Sequence, residues 1–191
     1  MSDSERDEKR ARFEAVALPL MTALHSVAMY LTQDPEDAAD VVQETYYRAY
    51  RTFENFRPGT NARAWLFTIL YSVVINRRKK ARREARDVPI EENEERLLLV
   101  DEVVTRDAHA EADINRLDSP EVEAALRDLP EAFRAAVLLV DVQELSYEDA
   151  AAVLECPVGT VGSRLSRGRR LLFDALQDHA RRMGYLKRTD S

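Results

Sequence analysis

The sequence predicts an all-α protein of two small helical domains joined by an acidic, flexible linker. Three observations carry this expectation. Only five glycines occur in 191 residues, and the alternation of a half-buried strand is nearly missing. Apolar residues recur instead at helical spacing on both sides of an interruption. That interruption, residues 84–118, holds twelve carboxylates against four arginines, the composition of a solvated tether.

The first domain is placed at residues 9–84. A helix over 9–31 carries Phe13, Val16, Ala17, Leu20, Leu24, Val27 and Leu31 on one stripe, with Pro19 as a kink. Asp34 and Pro35 form a start signal, cap followed by first helical residue. The helix they open runs to about Phe56 and buries Ala38, Val41, Val42, Thr45, Ala49 and Phe53. Its other side shows Asp37, Asp40, Gln43, Glu44 and Tyr47; five acidic residues and no basic one lie between Asp34 and Glu44. A loop with Pro58 and Gly59 leads to a third helix over 61–83. That helix begins apolar, with Trp65 assigned to the core stripe, and ends in a run with six basic residues in seven, 77–83.

The linker spans 85–118 and is interrupted by an apolar knot at 97–100. The second domain, 119–178, starts with Ser119 and Pro120 capping a helix to Asp128, and Pro130 opens another to about Val142. Ser146, with Asp149 three residues on, reads as a helix N-terminus close to a capping box. Pro157 cannot continue that helix but suits the start of the next. On the last helix Val161, Leu165, Gly168, Leu172 and Leu176 share one stripe, while Thr160, Ser163, Arg164, Arg167 and Arg170 gather on another face. A basic, hydroxyl-bearing outside on an apolar inside is what a recognition helix in a DNA major groove requires. An amphipathic hairpin with a solvated basic face has the same periodicity. The tail beyond His179 is basic and expected to fray.

The formal net charge of −7 does not argue against a nucleic-acid partner, because the 84–118 segment alone contributes 4 − 12 = −8 and leaves +1 elsewhere. Local clusters set the field that a phosphate backbone meets. His25, His109 and His179 are scattered, and no glycine-rich phosphate loop or nucleophile–base pair is present, so the sequence offers no enzyme. It implies no metal or cofactor either. The single cysteine, Cys156, cannot form an internal disulfide, which suits a reducing cytoplasm. No uninterrupted apolar run reaches the roughly 20 residues of a membrane span, and the polar N-terminus lacks a signal-peptide core.

Three motifs in order extend the reading. They are Asp37-Ala-Ala-Asp-Val-Val-Gln-Glu-Thr45, Ala64-Trp-Leu-Phe-Thr-Ile69 followed by Asn76 and the basic run, and Val158-Gly-Thr-Val-Gly-Ser-Arg-Leu-Ser-Arg167. Together they resemble a bacterial RNA polymerase sigma factor of the extracytoplasmic-function type (group 4 of the sigma-70 superfamily), over about residues 13–176. The resemblance implies a region 2-like first domain that binds the clamp helices of the largest polymerase subunit and the minus-ten promoter element. It implies a region 4-like second domain that docks on the flap of the second-largest subunit and reads the minus-thirty-five element. A stress regulon and a cognate anti-sigma factor are further implications, as is a linker that threads towards the active-site and RNA-exit channel. Because its acidity mimics nucleic acid in charge, the linker is expected to lie in the basic RNA channel until the growing transcript displaces it.

Carried onto this sequence, the clamp contact falls on Asp37, Asp40, Gln43 and Glu44. The minus-ten contacts fall on Asn55, Arg57, Asn61, Arg63, Ser72, Asn76, Arg77 and Lys80. The minus-thirty-five contacts fall on Thr160, Ser163, Arg164, Arg167 and Arg170. Ser72 stands where relatives often carry Asn, and Gly162 where they often carry a larger polar side chain. A stand-alone dimeric helix-turn-helix regulator is the rival reading, although no dimer seam or ligand pocket is evident in the sequence.

Overall fold

The structure, a computed structural model, describes residues 3–84 and 119–182. The acidic linker, its apolar knot and the end of the basic tail therefore lie outside the described residues. Among those described, α-helices account for nearly everything and no strand occurs.

In the first domain α1 covers Asp3–Ala17 and α2 covers Met21–Thr32, separated by a 3-10 turn at Leu18–Leu20. Pro19 sits in that turn, where its missing N–H costs no helical hydrogen bond. The expected single helix is thus two helices, and the first begins at Asp3 rather than at residue 9. Helix α2 stops at Gln33, whose φ of 60° is left-handed and whose N–H reaches Met29 O at 2.9 Å. Helix α3, Pro35–Thr52, begins as the sequence indicates: Asp34 is extended and its Oδ1 accepts the Asp37 N–H at 2.8 Å. Glu36 and Asp37 in its first turn and Arg51 in its last complement the helix dipole.

Helix α4, Ala62–Glu84, crosses both. Leu24, Val27 and Leu31 of α2 meet Ala38, Val41 and Ala49 of α3 and Leu66, Phe67, Leu70, Val73 and Val74 of α4 in one buried core. Alanines 28, 38 and 49 are fully buried and set the close spacing of the helices. Val42, expected inside, is only partly buried. Helix α1 closes the bundle through Phe13, whose ring stands edge-on to Tyr46, Tyr50 and Phe53 at 5.3–6.1 Å. The Tyr46 hydroxyl donates to Ala17 O at 2.8 Å.

The membrane expectation is corrected in one respect. By length and composition Ser4–Thr32 is apolar enough to cross a bilayer, with a mean hydropathy of 1.5 in its richest window. Counting uninterrupted apolar runs missed it. The 3-10 turn breaks the stretch, and Leu24, Val27, Ala28, Tyr30 and Leu31 are buried within the protein.

In the second domain α5 spans Pro120–Asp128, α6 Glu131–Val137, α7 Tyr147–Val153 and α8 Val158–Arg182. A π-helical turn, Leu138–Val142, extends α6 to the limit expected of it. Ser146 caps α7 by accepting the Asp149 N–H at 3.0 Å. The chain reverses at Glu155, φ 50°, and Pro157 O accepts the first N–H groups of α8 from Thr160 and Val161. On α8 Val161, Leu165, Gly168 and Leu172 are buried, and Leu176 packs at the margin. Gly168 is required there: a Cβ would lie 2.8 Å from Val137 Cγ2 and 3.3 Å from Phe133 O. Helices α6 and α8 can approach so closely only because that position has no side chain.

Candidate polymerase and nucleic-acid interface

The residues expected to face a polymerase share one exposed side of α3. Asp37, Asp40 and Gln43 are exposed and Glu44 is half-buried. Each carboxylate already has a cation. Arg77 Nη2 donates to Asp37 Oδ1 at 2.8 Å and to Asp40 Oδ2 at 3.1 Å, and Arg48 Nε donates to Glu44 Oε1 at 2.7 Å. These are solvent-screened pairs that an incoming basic surface can exchange at small cost. Tyr47 extends the same side and is 57 % exposed.

The minus-ten candidates fall into two groups. Asn55 and Arg57 are exposed in the connection after α3, where Gly59 adopts φ 86° and Thr60 Oγ1 donates to Arg57 O at 2.7 Å. Asn61 and Arg63 sit at the start of α4 and are engaged by the second domain. Asn61 Oδ1 accepts the Ala64 N–H, while its Nδ2 donates to Asp149 Oδ2 at 2.8 Å. Arg63 Nη1 donates to Gln143 O and Gln143 Oε1, both at 3.2 Å. The other group lines α4 farther on: Asn76 is exposed and donates to half-buried Ser72 at 3.4 Å, with Arg77 and exposed Lys80 beyond. Trp65 is half-buried and tilts against Phe56 at 4.9 Å and Phe53 at 6.2 Å. The core assignment for Trp65 therefore holds only in part.

On α8 Ser163 and Arg170 are exposed, and Thr160, Arg164 and Arg167 are half-buried. Positions 160, 163, 167 and 170 form one outward strip, opposite the buried stripe. Arg164 departs from it. Its Nη1 lies 3.7 Å from Cys156 Sγ in the turn and its Nε is buried without an acceptor among the described residues. To reach a base it must swing outward. Gly162 has room for a larger residue, since a Cβ there would meet only Tyr147 Cε2 at 3.9 Å.

Three polar residues escaped the sequence reading. Arg169 forks onto Asp141 at 2.5 and 3.1 Å and ties α8 to the π-helical turn, which raises its pKa further through the Asp141 hydrogen bond. Gln143 is 5 % exposed. Arg134, 6 % exposed, donates to Leu126 O, Arg127 O and Leu129 O, closing the C-terminal end of α5, and to Tyr30 O of α2 at 3.0 Å. Burial, with nearby Arg78 second, lowers its pKa. The signal for Arg134 was a charged residue inside the apolar run 133–140.

The matches to known families follow this division. Sigma-70 region 2 matches residues 19–84, and sigma-70 region 4 matches residues 119–172. The chain belongs to the sigma-70 family. The sigma factor is 37 % identical over 169 residues to the ECF RNA polymerase sigma factor EcfG of Rhodopseudomonas palustris, covering 88 % of this chain and 83 % of that one. It is also 37 % identical to the ECF sigma factor SigE of Mycolicibacterium smegmatis, over 82 % of this chain but 58 % of that longer relative. Among solved structures it resembles the sigma factor RpoE in complex with the anti-sigma factor NepR from Bartonella quintana. The TM-score is 0.67 at 33 % identity, covering 87 % of this chain and 97 % of that one. These relatives place it in the extracytoplasmic-function group.

Proposed function

We propose that this sigma factor binds core RNA polymerase in the cytoplasm, directs it to promoters and helps open them, under the control of an anti-sigma factor. The observation that carries this reading is the division of exposed charge between the two domains. An acidic strip on α3 faces outward beside a basic end of α4, and a basic, hydroxyl-bearing strip on α8 faces outward from a helix-turn-helix. The acidic strip would steer and orient a basic coiled coil. Asn55, Arg57, Asn61 and Arg63 would take the minus-ten bases and backbone at the opened end of the duplex. Ser72, Asn76, Arg77 and Lys80 would follow the strand along α4.

Thr160, Ser163, Arg167 and Arg170 would hold the minus-thirty-five element, with Arg164 joining after rotation. A bidentate arginine–guanine contact there contributes about 1–3 kcal/mol of discrimination. The protein performs no chemistry; the polymerase supplies the reaction. A regulon released by stress is the corresponding biological role, with the likeness to a sigma factor captured by its anti-sigma partner in support.

The direct test reverses charge on α3. Asp40→Arg with Glu44→Arg should abolish association with core polymerase while the helical circular dichroism is unchanged. Undiminished affinity for core would remove the clamp assignment.

A further inference from the structure

Helix α1 ends at Ala17, whereas the match to sigma-70 region 2 begins at residue 19, so that likeness assigns this helix no role. Its apolar side is used within the bundle: Phe13 and Ala17 are buried, and Ala17 O accepts the Tyr46 hydroxyl. Two of its polar side chains reach the connection after α3, which carries Asn55 and Arg57. Lys9 Nζ pairs with Glu54 Oε1 at 3.3 Å and stands 5.2 Å from the centre of the Tyr50 ring. The Arg12 guanidinium lies 5.9 Å from the centre of the Phe53 ring, and Phe53 in turn stacks on Phe56 with 12° between their planes. Arg57 follows directly.

The four cations of α1 are not equivalent. Arg10 pairs with Glu14 at 2.7 Å, Lys9 pairs with Glu54, and Arg6 is also engaged. Among the described residues no carboxylate pairs with Arg12, which is exposed. Helix α1 carries five carboxylates against four cations, so the place of this one guanidinium decides, rather than the sum over the helix. Lys9 assists, because Glu54 is the only carboxylate between residues 53 and 61 and its charge is offset there. An aromatic face holds a guanidinium without neutralising it. Phe53 therefore fixes Arg12 and leaves its charge and N–H groups to an anion.

We propose that α1 forms part of the minus-ten site, with Arg12 taking a phosphate of the opened strand beside Asn55 and Arg57. This contact rests on the minus-ten reading of that connection and adds an element to it. A phosphate held by a cation releases counterions and fixes the strand's position, while the choice of base is left to other residues.

The test uses the full chain bound to core polymerase. The probe is a fluorescent promoter fragment from a start site that the complex selects in vitro, its minus-ten segment opened by mismatches. Affinity is measured across a salt series for the parent, Arg12→Met, Arg12→Lys and Arg57→Met. Arg12→Met keeps a stem over Phe53 but loses the charge. Its plot of log affinity against log salt should be shallower than the parent's by about 0.7, the value for one phosphate of a single strand. Arg12→Lys should keep the parent slope, and the free chains should melt alike.

Parent slope and affinity in Arg12→Met would overturn the contact. So would an equal loss in Arg12→Lys, since the charge would then not be what matters. Should Arg12→Met fold poorly, Arg12→Gln in the same series decides by the same criteria. Arg57→Met separates this contact from the reading beneath it. A slope lowered by Arg57→Met but not by Arg12→Met leaves the connection binding the strand without α1. If neither lowers it, the minus-ten reading of the connection falls as well.

Discussion

Arg77 and Asp37 are forty positions apart in the chain and 2.8 Å apart in the fold, and the same guanidinium nitrogen reaches Asp40. The acidic face of α3 and the basic end of α4 are therefore one electrostatic unit. Partial burial pulls the Arg77 pKa down, but the hydrogen bonds of Asp40 and Asp37 outweigh it and raise the value overall. Arg77 is 40 % exposed and the two aspartates more so, which keeps the pairing readily exchanged.

Arg77→Ala should accordingly change folding stability by less than about 1 kcal/mol, as exposed ion pairs do. Its larger effect should appear in DNA binding by the polymerase complex, where one lost phosphate contact lowers the salt-dependence slope by about 1. Urea melts and a salt titration of promoter affinity measure the two. A stability loss with an unaltered salt slope would make Arg77 a structural residue only.

Two glycines of α8 should respond oppositely to the same change. A Cβ at Gly159 meets nothing within 4 Å, so Gly159→Ala should stabilise the protein by about 0.5–1 kcal/mol through helix propensity. At Gly168 the new methyl would press on Val137 and the Phe133 carbonyl. Gly168→Ala should destabilise by about 1–3 kcal/mol, as overpacking does, with partial recovery when Val137→Ala is added. Thermal melts of the variants distinguish the cases.

Helix starts and core stripes were legible because they depend on neighbours in sequence. Asp34 and Ser146 cap as their types suggest, and Val161, Leu165, Gly168 and Leu172 turn inward on a helical period. The pairing of Arg77 with Asp37, the Arg63–Gln143 contact and the Arg134 cluster were not legible. Each joins residues whose separation carries no periodic signal, 40, 80 and 104 positions for the Arg77, Arg63 and Arg134–Tyr30 contacts. The inward turn of the Arg164 side chain was not legible for a related reason. A helical wheel gives the direction of its Cβ, whereas a long side chain can fold back, here onto the Cys156 turn.

Arg134 should be the costliest arginine to replace among those away from the exposed strips of α4 and α8. Arg134→Met strips charge-assisted hydrogen bonds from main-chain oxygens at the end of α5, and should cost about 2–4 kcal/mol. Arg134→Lys should restore only part of that, because an ammonium cannot fork across the same oxygens. Denaturant unfolding of the three proteins provides the comparison; equal midpoints would show that the cluster contributes nothing.

Burial raises the pKa of Tyr30, Tyr46 and Tyr71, the last beside the seam between the domains. For an acid whose folded pKa is raised, the folded state favours the neutral phenol. The associated stability is intact below the ordinary value of about 10 and is lost as pH climbs from there through the raised folded value. Tyr71→Phe should lessen this alkaline loss, measured as the change in urea midpoint between neutral and strongly alkaline buffer. An identical loss in the variant would exclude Tyr71 as a contributor.

The most direct measurement is to sequence the 5′ ends of transcripts made in vitro from genomic DNA by core polymerase, with and without this protein. The account predicts a discrete set of start sites that appears only with the protein, each preceded by a common two-block sequence at minus-thirty-five and minus-ten. Start sites unchanged by its addition would contradict the claim that the two domains lend the polymerase its promoter choice.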